Sequence, residues 1–206
     1  ADKKGKVYYI DMSGNVLHLP EYENAGAVRD YEGLNKMCEE IIPLLKERNQ
    51  RKKKMEEEDY TPEEIFLEFS NEQPIFILID ELPTFLDKLQ KATDKYAIIR
   101  SLLENFAEKG RLHKLHFIMT LNNTQTSQVA GYTFFSLLSK QAEGIQLGGN
   151  CISQTILSFD KLNYKKQNQS LKPGYAFVSS IDEDAAEEIY VPILKSKRNK
   201  IKELKV

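Results

Sequence analysis

The sequence contains no G-x-x-x-x-G-K-[ST] element, no long apolar run and no excess of one charge. The first absence removes the loop that cradles phosphates with backbone N–H groups and one Lys. Gly144-Ile145-Gln146-Leu147-Gly148-Gly149-Asn150-Cys151 alone has the glycine spacing, but it ends in Asn-Cys. The phosphate-binding Lys and the Mg²⁺-binding hydroxyl are both missing there, and the segment reads as a strand and a turn. No stretch approaches the roughly 20 apolar residues of a membrane span, and no signal peptide is visible. A net charge of −2 and a pI near 6.0 give no global attraction to nucleic acid. Only two cysteines occur, Cys38 and Cys151, without metal spacing, which points to reduced thiols in a cytosolic setting.

At 206 residues, 41% hydrophobic and 29% charged, the chain suits one globular α/β domain. It opens on Ala1-Asp2-Lys3-Lys4 and enters a strand almost at once, as expected of a segment of something longer.

The most informative stretch is Pro74-Ile75-Phe76-Ile77-Leu78-Ile79-Asp80-Glu81. A run apolar at every position suits a strand buried on both faces of a parallel sheet. Two acids at its C-terminal end lie where open α/β sheets bind ligands. In P-loop NTPases the first acid of such a pair helps hold Mg²⁺, and a neighbouring acid orients the attacking water. The chain therefore carries one half of a nucleotide site without the other.

The remaining pattern alternates. Lys6–Asp11 reads as a strand, Val16–Pro20 as an apolar segment, and Asp30 to Met55 as a helix kinked at Pro43. The charged half of that helix, from Lys46, reads as a solvated end with pairs such as Lys54–Glu58; a nucleic-acid arm is the weaker reading. Thr61-Pro62-Glu63-Glu64 is a helix start with Thr as N-cap and Pro at N1. A helix over 83–89 follows, then one over 95–109 with Ile98, Ile99, Leu102, Leu103 and Phe106 on one face and Gly110 as C-cap. Leu115–Leu121 is a second buried strand, 134–140 a short helix and 143–147 a weak strand. Pro173-Gly174 starts a hairpin of Tyr175–Ser179 and Tyr190–Leu194 around an acidic turn at Asp182 to Glu188. This order predicts a mostly parallel sheet with a late antiparallel addition. A domain over 1–194 and a basic tail over 195–206 are expected, the tail solvated or in contact with an anionic partner.

As an ordered set, these parts resemble the FtsK/SpoIIIE-type ATPases. The match is nearest to the C-terminal ATPase module of the membrane-anchored motors of Gram-positive type VII secretion. The residues that carry it are Val7–Asp11, Leu17–Asn24, Phe76–Glu81, Leu115–Met119, Thr155-Ile156-Leu157 and Lys172–Val178. The resemblance implies a RecA-like P-loop NTPase fold whose first strand and P-loop lie before residue 1. It implies ATP and Mg²⁺ in the parent protein, with Asp80 on Mg²⁺ through water, Glu81 as water-orienting base and Asn122 on the γ-phosphate side. Three departures weaken hydrolysis. The P-loop is missing from this segment, Leu121-Asn122-Asn123 replaces the family's Thr-Gln-Arg, Asn122 being one methylene shorter than Gln, and Gln154 stands where Arg is usual. The expected role is therefore recognition of secreted helical-hairpin substrates, or ring assembly with neighbouring ATPase modules in a possible hexamer. The implied setting is a cytoplasmic domain of a membrane-anchored protein, with no nucleotide held by this segment. The alternatives are an active motor domain with its P-loop supplied upstream, a DNA translocase of the same family, against which the acidic pI argues, or an AAA+-type ATPase.

His113-x-x-His116 lacks a third nearby ligand, so a metal site is not favoured. Tyr8, Tyr9, Phe66, Phe69, Phe134 and Phe135 read as core. Phe134-Phe135, after Gly131-Tyr132, is the pair to examine as an exposed partner-binding surface.

Overall fold

The computed structural model describes residues 5–14, 24–140, 142–179 and 186–191. The apolar segment at Val16–Pro20, most of Leu17–Asn24, part of the acidic turn, and the basic tail lie outside the described residues. The chain divides into two compact units, Ala1–Leu138 and Ser139–Val206.

In the first unit, β1 (Lys6–Ile10), β2 (Ala25–Val28), β3 (Ile75–Ile79) and β4 (Leu115–Met119) form one parallel sheet in the order β2-β1-β3-β4. Helix α1 (Tyr31–Glu57) links β2 towards α2 (Pro62–Ser70) and β3; α3 (Leu82–Gln90) and α4 (Ile98–Lys109) link β3 to β4; α5 (Thr126–Val129) and α6 (Thr133–Ser139) follow. Such crossovers are what parallel pairing requires. β3 is central, with Ile75, Ile77 and Ile79 at the bottom of the core and Phe76 and Leu78 half-buried. The short strand β2, Ala-Gly-Ala-Val, was not legible in the sequence: small residues carry little strand preference, and pairing with β1 makes it a strand.

Local signals account for the helix ends. Asp30 accepts from Gly33 N at the start of α1, and α1 runs on through Pro43. Its charged half is laced by Glu47–Arg51, Lys52–Glu56 and the expected Lys54–Glu58. Thr61 and Glu64 form a reciprocal capping box at α2. In α4, Ile99, Leu103 and Phe106 are buried as expected, but Ile98 is exposed because a 3-10 turn at Asp94–Tyr96 shifts the helix start. Gly110 ends α4 in a right-handed conformation, not the left-handed one of a glycine cap. It is glycine because a Cβ there would meet Leu115 at 3.0 Å.

A buried arginine ties α1 to the sheet. Arg48 donates to the carbonyl oxygens of Gln73, at 2.8 Å, and of His113, and pairs with Glu72 at 3.3 Å. Those two carbonyls belong to the chain just before β3 and just before β4. A guanidinium is costly to bury alone, and this one is offset by directed acceptors and a carboxylate.

In the second unit, β5 (Gly144–Leu147), β6 (Tyr175–Ser179) and β7 (Ala186–Tyr190) form an antiparallel sheet in that order, with α7 (Tyr164–Asn168) in the long connection. Its core is Phe177 with Cys151, Phe159, Leu162 and Leu171. Residues 186–188, expected in the acidic turn, are instead strand: β7 pairs Ala186 with Ser179 and Tyr190 with Tyr175. The Tyr175–Tyr190 ring contact at 5.6 Å fixes that register, with Gly174 at φ +86° turning the chain beneath it.

His113 is buried against Phe69, and its imidazole pKa is lowered by burial and by the Arg48 and Lys52 charges. His116, stacked on Phe76 at 5.5 Å, is lowered by burial and by Lys114 and Arg111. The unfolded chain takes up these protons near pH 6.5 while the folded chain resists them, so stability is full above that pH and is lost as pH falls. The urea midpoint should therefore drop between pH 7.5 and 5.5, and His113→Gln should shrink the drop. An equal drop in both proteins would contradict this assignment.

Candidate functional site

The candidate site lies at the C-terminal edge of the parallel sheet and is built from three strand ends. β3 ends at Asp80-Glu81, β1 at Asp11 and β4 at Thr120. Parallel strands in register bring the residues that follow them side by side. Ile79 sits opposite Met119, so Asp80 and Thr120 are neighbours. Thr120 Oγ1 donates to Asp80 Oδ1 at 2.8 Å and accepts from Glu81 N at 3.0 Å. Its backbone holds both sides too: Thr120 N reaches Ile79 O at 3.0 Å, and Leu82 N reaches Thr120 O at 3.1 Å. One threonine thus fixes the carboxylate of Asp80 and the backbone of Glu81.

Tyr9 is half-buried on β1, and its hydroxyl pKa is raised by burial and by the charges of the neighbouring Asp80 and Asp11. Asp11 is 2% exposed, and its Oδ1 accepts from Ser13 Oγ at 2.7 Å and Gly14 N at 2.8 Å. That loop is held to α3, because Lys88 Nζ donates to the Met12 carbonyl.

Glu81 has φ +49° and ψ +69°, a left-handed conformation unusual for a side chain larger than Asn or Asp. Its carboxylate accepts from Thr84 Oγ1 at 3.2 Å and makes no cap bond to α3. Strain of this kind concentrates where a side chain is being aimed.

Asn122 lies three residues beyond β4. Its Oδ1 accepts from Thr124 N at 3.1 Å and Thr124 Oγ1 at 2.9 Å, closing an Asx turn. Its acceptor is used locally, and its amide nitrogen is the group left to point at a ligand.

The strand-end carboxylates of the first unit are therefore well ordered, and the glycine run and Gln154 of the second unit, taken by themselves, carry no phosphate-binding geometry. The glycine run at 144–149 is β5 followed by a turn, with Gly148 and Gly149 at φ +70° and +63°. Gln146 Nε2 donates to the carbonyls of Gly148 and Asn150, and Leu171 N donates to that of Gly149. The turn is latched through its carbonyls and offers no phosphate nest. Gln154, where the family has Arg, accepts from Ile156 N and Leu157 N at 2.9 and 2.8 Å, which makes it a local turn brace. The residues present thus fit a Mg²⁺-bound water at Asp80 and do not fit a bound triphosphate. Among the described residues, no group of three or more His, Cys, Asp or Glu forms a metal ligand set.

Phe134 and Phe135 are 1% and 7% exposed: they are core, and the pair does not form an exposed partner-binding surface. The Phe134 ring packs edge-on against Phe85 at 6.0 Å and Phe117 at 5.3 Å. A cleft of about 320 Å³ does lie beside Phe134, but its apolar walls, Leu86, Leu89 and Phe134, are almost fully buried, and Gln90, Arg100 and Glu104 line it too. Thr120 and Tyr9 were missed as site residues because a Thr and a Tyr in apolar runs read as strand. The signal that finds them is the strand register.

No family model matches the chain, and no curated protein matches it. Its fold is shared with solved structures. The cytoplasmic domain of EssC superposes at a TM-score of 0.72 with 13% identity, over 94% of this chain and 34% of that one. Thermomonospora curvata EccC (ATPases 2 and 3), solved in complex with a signal sequence peptide, gives 0.62 and 14%, over 94% and 32%. The monomer form of the pCW3 conjugation coupling protein TcpA, solved with ATPγS, gives 0.60 and 16%, over 98% and 57%. The fold is that of a RecA-like P-loop ATPase domain. The chain spans about a third of the EssC and EccC chains and just over half of TcpA.

The left-handed Glu81 gives a direct test. Glu81→Gly should raise stability by about 1 kcal/mol, since glycine takes this conformation without penalty. The weak, exposed bond to Thr84 is the hydrogen bond lost. A fall in the denaturation midpoint would mean that the Glu81 side chain holds the turn.

Proposed function

We propose that this chain is the C-terminal ATPase-like module of an FtsK/SpoIIIE-type motor of type VII secretion, and that it works in recognising secreted substrates rather than in hydrolysing ATP. The observation that carries the reading is the half-built site. Asp80, Glu81, Thr120 and Tyr9 form an ordered carboxylate edge, while the phosphate-side residues are replaced by Asn122, in an Asx turn, and Gln154, in a turn brace. A retained fold with a broken catalytic edge serves through its surface.

The EccC structure with a signal sequence peptide supports a signal-bearing partner. We further propose, from the resemblance in sequence motifs, that the substrates are helical hairpins, that the neighbours are ATPase modules of the same motor, and that the parent assembles as a ring. No described helix is long and apolar enough to cross a membrane, and the membrane anchor of the parent lies in other segments. The docking surface moves from Phe134-Phe135 to the C-terminal sheet. Strand β5 exposes Ile145 and Leu147, which share one face by the period of two, opposite the face on which Phe177 enters the core. Spaced apolar anchors of this kind receive the apolar stripe of a helix.

A second reading is an active module, favoured by the way Thr120 orients Asp80. In that reading Asp80 would hold Mg²⁺ through water, Glu81 would orient the attacking water and Asn122 would contact the phosphate. When bound, ATP and Mg²⁺ would supply the phosphoryl chemistry; this chain's part would be to hold a water at Glu81 in a fixed direction.

Two measurements separate the readings. Calorimetric titration of this chain with Mg-ATP should give no micromolar binding; micromolar binding would refute the half-built site. Capture of a cognate signal-bearing hairpin should occur at tens of micromolar, about −6 kcal/mol, and should fall with Ile145→Ser/Leu147→Ser. No capture by the intact chain would overturn the recognition role, whereas capture unchanged in the double variant would overturn only the choice of surface.

A further inference from the structure

Helix α2 was expected to bury its aromatics, and it buries only half of them. Ile65 and Phe69 enter the core, while Phe66 is 71% and Leu67 is 67% exposed. With 3.6 residues per turn, Glu63, Phe66, Leu67 and Ser70 share the outward face. The 3-10 turn Gly110–His113 packs against α2 and adds Leu112, also 67% exposed. Large apolar side chains gathered on a surface mark a place where something else binds.

The surrounding charge says what. From Glu56 to Glu72 the sequence holds eight carboxylates and no Lys or Arg. Glu56, Glu58, Glu64 and Glu72 are taken up by Lys52, Lys54, the capping box and the Arg48–Arg51 pair. Glu57, Asp59, Glu63 and Glu68 are exposed and have no side-chain partner among the described residues. The acidic side of this face, along α2, attracts a cationic segment, while Arg111 and Lys114 border it on the Leu112 side. Lys114 Nζ already lies 5.8 Å from the Phe66 ring centroid, a cation contact that ring accepts.

We propose that the outward face of α2 docks a cationic amphipathic helix of a partner protein. Its apolar anchors would seat on Phe66, Leu67 and Leu112, and its Lys or Arg side chains would meet Glu57, Asp59, Glu63 and Glu68. The surface lies wholly within the first unit and does not depend on the reading of the nucleotide site or of the C-terminal sheet.

The probe is a synthetic amphipathic Leu/Lys peptide of about 14 residues, roughly four turns, with a Leu/Glu peptide of the same pattern as control, titrated into the full chain. The Leu/Lys peptide should bind, and its affinity should fall about tenfold or more as salt is raised to shorten electrostatic range. Phe66→Ser/Leu67→Ser and Glu63→Lys/Glu68→Lys should each weaken it about tenfold or more. Both pairs are exposed, so circular dichroism and the denaturation midpoint should stay at wild-type values; should one variant not fold, the other decides. Equal binding of the two peptides, no binding of either, or binding indifferent to a folded variant would overturn the proposal. A concentration-dependent dimer of the wild type, abolished by Phe66→Ser/Leu67→Ser, would assign the face to a second copy of the chain and overturn it as well.

Discussion

The candidate site depends on the alignment of β3 with β4, and Arg48 fixes that alignment from the far end. Its buried guanidinium holds the carbonyl just before β3 and the carbonyl just before β4. With both strands entering at a set level, five paired positions later Ile79 meets Met119 and Asp80 meets Thr120. A slip of one residue would turn every side chain of the strand to the opposite face. It would also separate the Thr120 hydroxyl from the carboxylate it orients. The arginine does no chemistry, and it sits at the other end of the sheet from the residues whose geometry it sets. Removing it would strand two buried carbonyls and leave Glu72 to Arg51 alone, which is why a charge so costly to bury is kept.

At the functional edge, preparation and loss stand side by side. Asp80 is held by the Thr120 hydroxyl, and Glu81 is kept in a left-handed conformation that side chains of its size avoid. Those features belong to a carboxylate pair aimed at something. The partner chemistry is different: Asn122 spends its acceptor on its own turn, and Gln154 and Gln146 brace turns in the other unit. The same polar residue types that would reach a phosphate in a motor serve here as local hydrogen-bond closures.

The surface is also redistributed relative to what hydrophobic pattern alone suggests. Phe134 and Phe135 follow a glycine-containing turn and look available, yet the Phe134 ring lies against Phe85 and Phe117. Phe66 lies in an apolar stretch and looks internal, yet α2 is a short helix on the outside of the sheet, with room beneath it only for Ile65 and Phe69. A nine-residue helix has one buried stripe. Four apolar residues crowded into Ile65–Phe69 cannot all reach it.

What the sequence determined by itself was the identity and order of the parts. The every-position apolar run ending in Asp80-Glu81 announces a central parallel strand, since only such a strand is buried on both faces. The capping box at Thr61 and the charge pairs of α1 were also readable, because they join residues three or four apart. The tertiary structure alone decided what lies between distant segments: β2, which pairing makes a strand; the shift of β7 to 186–190, with Tyr175 against Tyr190; and Thr120 on Asp80. Each of these joins residues far apart in the chain, or is set by how much room a neighbouring element leaves. Local periodicity carries neither kind of information.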